Sequence, residues 1–422
     1  MSEVLASVAS SAVVEWAFLF VAMYPLCTSA MWVATAVVFS RQRERGSDDG
    51  FYDIPDRELP FVSVVVPAFR ESAAITPTLQ SLCNLDYPRY EILVVDDGSP
   101  DGTSGIVRRY ARVNSRIRVL CKEVNEGKAM AMNDALPIVR GEVVVVLDAD
   151  ARMRPDALRY IVPHFVRLPR VGAVTGNPRV GNRTNLVCEL QTLEFTSIIS
   201  LIRRAQVVWG RIMTVSGVIS AFRVSALREV GLFDPSKATE DIDISWRLQR
   251  SFYDVRYEPR ALVDMTVPSS WTALWQQRRR WTTGLAQVLR GHADVLRSWR
   301  MRRLWVVYLE AACSVLWAHV FMAIAALWVV CVVAGAPPPS MSVRPSVWGA
   351  SLALASVLQL SAGVHLDAKY DETVKRSLLL APVYPLVYWT MMAVVTVRST
   401  LPALLRTPPP VALWSTVRAG SA

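Results

Sequence analysis

The sequence lacks the cysteine patterns that mark disulfide-stabilised and zinc-binding proteins. Its six cysteines include no CxxC motif and no paired spacing, and three of them lie in long apolar runs. Disulfide frameworks and structural zinc sites depend on such spacings. The sequence therefore argues against both and fits a reducing compartment.

Charged residues are also scarce, and lysine is almost missing. Only 19% of the 422 residues are charged, against about 25% in ordinary globular proteins, and 52% are hydrophobic. This composition excludes a disordered or fibrous protein and argues against a wholly soluble one. The formal net charge of +10 suits nucleic acid, anionic lipid or a phosphate-bearing substrate. Because the bases cluster beside apolar runs, we expect no nucleic-acid partner.

Asp, Glu, Lys and Arg are absent from four apolar runs, each near the length of about 20 residues that a bilayer requires. These runs are 16–39, 311–333, 347–364 and 377–397. No positively charged segment precedes the first run, which is also too long for the apolar part of a signal peptide. We therefore expect a multi-pass membrane protein.

Basic residues beside these runs predict the topology. Arginines at 41–45 and 297–303 place the block between them in the cytosol, because basic loops favour that side. Four crossings would then leave Arg398, Arg406 and Arg418 outside, against the same rule. Either the tail lies at the interface or one crossing is miscounted.

These patterns together predict the domain organisation of the chain. We predict a membrane helix over 1–40, a linker over 41–60, a cytosolic domain over 61–268, amphipathic interfacial helices over 269–303, three membrane helices over 304–400 and a tail over 401–422.

The cytosolic block shows no internal repeat and no GxGxxG motif after its first strand, which disfavours a dinucleotide-binding fold. Apolar strand patterns at 61–67, 90–95, 116–121 and 142–147 alternate with helical patterns. This alternation predicts an α/β fold with a parallel sheet buried on both faces. Ligands bind at the carboxyl ends of such strands, where polar clusters stand at 67–71 (with Pro67 and Glu71), 96–99 and 148–150.

Four acidic residues are expected at that edge. The side chains of Asp148 and Asp150 would point from the same face of an extended segment. Asp96 and Asp97 lie at the end of a neighbouring strand. Converging carboxylates repel each other unless a cation or hydrogen bonds compensate. Two carboxylates suit a hard divalent cation that also holds substrate phosphates, although a polar loop after a strand is the simpler alternative.

Two further motifs lie at predicted helix starts. Gly127 and Lys128 suit an anion at a helix N-terminus, or form an ordinary glycine turn with a surface lysine. Thr239 is expected to cap a helix whose first turn holds Glu240 and Asp241. Glu240 fits simple capping, and Asp241 is a candidate general base for a hydroxyl nucleophile.

A basic motif lies on a helix predicted over about 270–291. Gln277, Arg280 and Trp281 share one face of this helix. The arginine can bind a diphosphate, and the tryptophan ring can stack on a sugar. An interfacial helix that binds anionic lipid is the alternative, in particular for Arg278 and Arg279.

Taken in order, these motifs resemble the inverting family 2 glycosyltransferases of GT-A fold. Beside membrane segments, the last two motifs are similar to those of processive polysaccharide synthases of the cellulose, chitin and hyaluronan type. The stretches 193–199, 214–223, 239–249 and 257–261 more specifically resemble the bacterial poly-β-1,6-N-acetylglucosamine synthases. The motifs that carry the resemblance are Asp96-Asp97-Gly98, Asn125-x-Gly-Lys128, Asp148-x-Asp150, Thr239-Glu-Asp241 and Gln277-x-x-Arg-Trp281.

The resemblance implies roles for these residues. Asp96 and Asp97 would hold the uridine, with Lys128 beside the nucleotide. Asp148 and Asp150 would serve Mg²⁺ or Mn²⁺ and the diphosphate, Asp150 as the direct ligand. Asp241 would be the catalytic base. Pro67 and Glu71 would border the donor, whereas Glu240, Gln277, Arg280 and Trp281 would border the acceptor and the leaving group.

The resemblance also implies the reaction and its setting. The donor would be UDP-N-acetylglucosamine, the acceptor a growing polysaccharide, and the location a bacterial inner membrane. A small membrane partner with cyclic di-GMP control is implied as well. A synthase of another β-glycan, a transferase of one sugar to a lipid carrier, and a non-catalytic nucleotide-sugar-binding subunit remain alternatives.

Overall fold

A computed structural model describes residues 11–44, 50–335, 347–407 and 409–413. Its middle block is a mixed eight-stranded sheet in the order β3-β2-β1-β4-β7-β6-β8-β5. Strands β1 to β4 are mutually parallel, as predicted, but β7 runs antiparallel to its neighbours β4 and β6. The strands are β1 Val62–Ala68, β2 Tyr90–Asp96, β3 Ile117–Cys121, β4 Val143–Leu147, β5 Arg152–Met153, β6 Val171–Val180, β7 Ile219–Arg223 and β8 Asp254–Met265.

Helices cover both faces of this sheet, which confirms the predicted α/β class. Alternate side chains of β1 pack into two apolar clusters, one on each face of the sheet, because successive side chains in a strand point to opposite faces. Val64 belongs to one apolar cluster and Val65 to the other. Helix α1, Ala12–Phe39, precedes the block. The helices of the block are α2 Ile75–Cys83, α3 Thr103–Val113, α4 Lys128–Ala135, α5 Ala157–Ile161, α6 Pro163–Arg167, α7 Leu186–Glu194, α8 Ser200–Trp209, α9 Val224–Glu229, α10 Glu240–Arg250 and α11 Trp271–Gly291.

Three helical segments are long and apolar enough to cross a membrane. They span Ala12–Glu44, Trp299–Val333 and Val347–Asp367, and they contain the first three predicted runs. The second segment ends in α12 (Arg302–Val333), and the third is α13 (Val347–Asp367). These segments make the chain a candidate multi-pass membrane protein.

The fourth predicted run, 377–397, is broken. A 3₁₀ segment, Glu372–Leu380, meets the helical segment Pro385–Leu405 at an angle of 73°. Pro382 and Pro385 lie at the break, where each removes a backbone hydrogen-bond donor and disfavours a straight helix. The final helix, α14, is Thr390–Leu405.

Both ends of this bent segment contact the α/β block. At its start, Asp371 pairs with Arg183, and the Ser377 hydroxyl donates to Glu189 Oε2 over 2.6 Å. At its end, Arg290 donates to the carbonyl oxygen of Leu404 over 2.7 Å. A bent pair of this kind is either a broken span or a re-entrant loop, and the contacts at both ends favour the loop.

A buried ionic network joins the membrane helices to the sheet. Arg204 Nη2 lies 2.9 Å from Glu44 and 2.8 Å from Asp367, at the ends of the first and third membrane segments. Arg179 on β6 also pairs with Asp367, at 2.8 Å. Because an unpaired buried charge is costly, this network fixes the membrane helices against the sheet.

Candidate active site

The carboxyl ends of β1 and β2 form the floor of the site. Pro67 is buried within β1, and the Asp97 amide donates to the Ala68 carbonyl over 2.9 Å. Glu71 is buried at the following turn, where its amide donates to the Thr103 hydroxyl over 3.0 Å. Short hydrogen bonds from the amides of Asp97 and Glu71 thus fix the backbone at this edge.

Asp96 and Asp97 differ in their surroundings although they are adjacent. Asp97 is fully buried, and its two carboxylate oxygens accept from the amides of Glu126 and Gly127 over 3.1 and 2.7 Å. Asp97 therefore shapes the loop that leads into α4. Asp96 accepts a longer 3.3 Å bond from the Ser99 amide, and burial raises the pKa of its carboxyl.

Lys128, the first residue of α4, connects three elements. Its Nζ lies 2.7 Å from Asp148 Oδ1 and 3.5 Å from Glu240 Oε1, and it donates to the Gly217 carbonyl over 2.8 Å. Although burial lowers the pKa of Lys128, these carboxylates raise it above its ordinary value. The lysine therefore stays charged and draws the motifs of β4 and α10 together.

The expected extended geometry of Asp148 and Asp150 is wrong. The strand ends at Leu147, and the Ala151 amide donates to the Asp148 carbonyl over 3.0 Å, which closes a turn. The two side chains therefore do not follow the alternation of a strand. Both are half-buried at the carboxyl edge of the sheet.

Asp241 lies in the first turn of α10, beside Gly217. A Cβ atom at Gly217 would lie only 3.2 Å from Asp241 Oδ2, so the absence of a side chain there leaves room for the carboxylate. Burial and the neighbouring Glu240 raise the pKa of Asp241 to about 6, against the opposing charges of Lys128 and Arg280. A carboxylate with this pKa can accept a proton near neutral pH.

Helix α11 begins at its predicted position, with the Ser270 hydroxyl accepting from the Ala273 amide over 3.3 Å. Arg278 is fully buried, pairs with Glu194 at 2.5 Å and lies 3.9 Å from the centroid of the Trp281 ring. The lipid-binding interpretation is therefore wrong for Arg278. Arg279 and Arg280 remain exposed.

The residues of α11 that were expected to border the acceptor occupy one side of the helix. Trp281 is half-buried, with Arg278 over one face of its ring and Phe195 edge-on at 6.4 Å. Gln277 is half-buried, and its Oε1 is buried without a hydrogen-bond partner among the described residues. Gln277 thus offers an acceptor atom that a hydroxyl could satisfy.

Comparison with known proteins defines the family. The model "Glycosyltransferase like family 2" matches residues 60–284. The chain belongs to the family 2 glycosyltransferases. Among curated relatives it is 30% identical to a poly-β-1,6-N-acetyl-D-glucosamine synthase of Staphylococcus epidermidis, over 96% of this chain and 98% of the relative. It is 32% identical to the synthase of the same name from Staphylococcus aureus strain COL, with the same coverage.

Solved structures support the fold of this glycosyltransferase. A mannosyltransferase from Pyrobaculum calidifontis, in complex with GDP-Man and Mn²⁺, matches with a TM-score of 0.61 and 22% identity. The alignment covers 91% of this chain and 99% of the mannosyltransferase. The GT-A fold implied by the sequence motifs is thereby confirmed.

The glycosyltransferase offers few protein ligands for a metal ion. Among the described residues, no group of three His, Cys, Asp or Glu side chains could hold one. Asp148 and Asp150 lie on one turn at the sheet edge. Mg²⁺ and Mn²⁺ are commonly held by one or two carboxylates together with substrate phosphates and water. The donor set therefore fits a metal that arrives with the nucleotide.

Several contacts of this glycosyltransferase were missed in the sequence. The Thr239 hydroxyl makes no capping bond; instead, Thr239 packs so closely on α11 that a Cβ at Gly284 would lie 1.9 Å from Thr239 Oγ1. Near the C-terminus, the Ala412 carbonyl approaches Gly127, where a Cβ would lie 2.4 Å from its oxygen. The contact of Glu194 with Arg278 was also missed. The signal that could have indicated it is a carboxylate among apolar residues in the stretch 193–199.

Proposed function

We propose that this chain is a processive synthase that transfers N-acetylglucosamine from UDP-N-acetylglucosamine to a growing poly-β-1,6-N-acetylglucosamine chain. The observation that carries the proposal is the cluster in which Asp241, Lys128 and Asp148 meet beside Arg280. The relatives described above, similar over nearly their whole length, are named for this product, and UDP-N-acetylglucosamine is the donor that the sequence motifs imply. We further propose that the α/β block lies on the cytosolic side of a bacterial inner membrane, where basic flanking residues favour retention.

The arrangement suits a single displacement. Asp241 accepts the proton of the acceptor hydroxyl, whose oxygen forms a bond to the anomeric carbon. The bond between that carbon and the UDP oxygen breaks, so the configuration inverts from α to β. Arg280 neutralises charge that grows on the departing diphosphate, where a fixed positive charge lowers the barrier most.

A divalent cation held by Asp148 and Asp150 would neutralise diphosphate charge in the bound donor. Lys128 positions Asp148 through their 2.7 Å ion pair. Gln277 and Trp281 border the acceptor, with one ring face of Trp281 already covered by Arg278. The product would leave along the membrane helices, because a polymer rich in hydroxyls cannot cross lipid without hydrogen-bond partners.

The proposal is tested with the full chain purified in detergent. Asp241→Asn removes the base, so UDP release and polymer formation should fall by about 10³-fold or more while UDP binding persists. Radiolabelled UDP-N-acetylglucosamine measures both product length and rate. The matched control is Asp294→Asn, a surface residue that pairs with Arg250 at 2.7 Å, and it should retain activity.

Three results would contradict the proposal. A product of one sugar on a lipid would indicate a lipid-carrier transferase. Consumption of a different UDP-sugar would overturn the donor. Wild-type turnover in Asp241→Asn would place the base elsewhere.

A further inference from the structure

A cluster of charged side chains surrounds Lys122, the first residue after β3. Its Nζ atom lies 3.1 Å from Asp97 Oδ1, 2.8 Å from Glu126 Oε2 and 2.8 Å from Asp134 Oδ2. The side chain of Lys122 is only 9% exposed, and that of Asp97 is fully buried. The reaction proposed above uses none of these three ion pairs.

The three carboxylates belong to different parts of the fold. Asp97 directly follows β2, Glu126 lies in the loop between β3 and α4, and Asp134 lies in the last turn of α4. Lys122 therefore joins the edge of the sheet, the loop and the helix. Its own amide donates to the Asp96 carbonyl over 2.8 Å, which fixes the start of the loop against β2.

Asp97 holds the other end of this loop. Its carboxylate accepts two amides of the loop, as described above, and has the ammonium group of Lys122 as its counter-charge. The loop also packs on the backbone just after β2, where a Cβ at Gly98 would lie 2.8 Å from the carbonyl carbon of Val124. The position of the loop thus depends on the Asp97 carboxylate and on the charge that balances it.

One ammonium group balances three carboxylates in this cluster. Although burial lowers the pKa of Lys122, the carboxylates of Asp134, Glu126 and Asp97 raise it above its ordinary value, so the lysine stays charged. Without that charge the carboxylates would repel one another, and buried Asp97 would lose its counter-charge, which is costly. A cluster with excess negative charge would also repel the diphosphate of an approaching nucleotide.

We propose that Lys122 is a positioning residue for nucleotide binding. Its three ion pairs hold the loop and the start of α4, and they thereby fix Lys128, which pairs with Asp148 at 2.7 Å. This role rests on the proposed function, in which a nucleotide diphosphate binds beside Asp148. Lys122 acts through these neighbours and needs no contact with the nucleotide.

Titration calorimetry of the full-length protein in detergent tests this role, with UDP and Mn²⁺ as the probe. Lys122→Met keeps the apolar stem and removes the charge, so the Kd of UDP should rise about tenfold. The double variant Lys122→Met/Glu126→Gln removes one repelling carboxylate and should bring the Kd back to within about threefold of the wild-type value. Lys122→Arg keeps the charge and should bind UDP more tightly than Lys122→Met.

The matched control is Lys375→Met, an exposed lysine on the 3₁₀ segment Glu372–Leu380, and its Kd should equal that of the wild type. Turnover of UDP-N-acetylglucosamine gives a second readout. The KM of Lys122→Met should rise about tenfold while kcat changes by less than about twofold, because the lost donor binding is common to the ground state and the transition state. Partial unfolding would instead lower kcat and leave KM unchanged.

Two outcomes would overturn this role. One is the same Kd of UDP in Lys122→Met and in Lys375→Met, and the other is a weakened Lys122→Met that Glu126→Gln does not improve. Both leave the proposed function standing, whereas a wild type that binds no UDP would overturn the proposed function as well. If Lys122→Met does not fold, Lys122→Gln is measured in the same way and should show the same rise in Kd.

Discussion

At the scale of single residues, Asp241 and its neighbours define the chemistry. The pKa of Asp241 is raised to about 6, so the carboxyl is protonated and unable to act as a base below that pH. Activity should therefore rise with pH through about 6 and level off near neutrality. A pH profile of kcat/KM for UDP release measures this, and an unchanged rate from pH 7 down to pH 5 would contradict the assignment.

A second prediction concerns the residue beneath the tryptophan of α11. Glu194 pairs with buried Arg278 and accepts a 2.6 Å hydrogen bond from the Tyr388 hydroxyl. Glu194→Gln removes the charge that holds Arg278 against Trp281, so UDP release should fall by about 10–100-fold through misplacement of the acceptor. Melting temperature should fall too, because removing one partner of a buried ion pair costs about 3–5 kcal/mol.

The readout that separates positioning from stability is polymer length. Measured at a temperature where the variant is fully folded, Glu194→Gln should give shorter chains. Glu372→Gln, exposed at the start of the bent segment, is the control and should give chains of normal length. Normal chain length in both variants would leave Glu194 with a structural role alone.

The site could be predicted from the sequence where each residue's role follows from its neighbours in the chain. Lys128 opens α4 and Asp241 lies in the first turn of α10, as expected. The burial of Arg278 and the exposure of Arg279 also follow from their positions around the helix. Arg278 lies one turn from buried Leu274 and from buried Thr282. The geometry of Asp148 could not be predicted, because a turn after a strand is set by tertiary contacts such as the bond from its amide to Val218.

At the scale of elements, the next prediction concerns the contact between the start of α10 and α11. Gly284 faces Thr239 so closely that an added Cβ would overlap the threonine side chain. Gly284→Ala should force the helices apart and separate Asp241 from Arg280, lowering the rate of UDP release by about 10²-fold.

The matched control for this change is Gly291→Ala at the end of the same helix. A Cβ there would meet only Lys237 Nζ, at 3.8 Å, so its activity should stay near the wild-type level. Equal activity of the two variants, measured as UDP release by protein of equal melting temperature, would show that the close contact does not position the site.

The sequence predicts whether a segment is a helix or a strand more readily than whether a long helix is straight or broken. The valine-rich strands and the apolar runs follow from composition, and β1, β2 and β4 begin within one residue of their predicted positions. The run at 377–397 is apolar throughout, but hydropathy does not record the proline-induced bend or the contacts at both ends. The antiparallel strand β7 likewise carries no local signature, because pairing direction depends on the path of the intervening chain.

At the scale of the whole molecule, the topology gives a further prediction. The bent segment returns to the α/β block, and the Ala412 amide donates to the Pro235 carbonyl over 2.7 Å. The C-terminus should therefore lie on the same side of the membrane as the block. A fluorescent protein that folds only in the cytosol, fused after the last residue, should fluoresce in cells.

The same reporter fused after Gly335, at the far end of α12, is the control and should stay dark. Fluorescence from the Gly335 fusion together with a dark C-terminal fusion would reverse the orientation. Two dark fusions would mean that the fourth run crosses the bilayer after all.

The approach of Ala412 to Gly127 has a consequence for biosynthesis. Two of the three long apolar helical segments, Trp299–Val333 and Val347–Asp367, lie between Lys128 and Ala412 in the sequence. The ribosome therefore makes both segments after the loop ahead of Lys128 and before the residue that packs on it. The surroundings of this loop are thus completed only after those two segments have been synthesised.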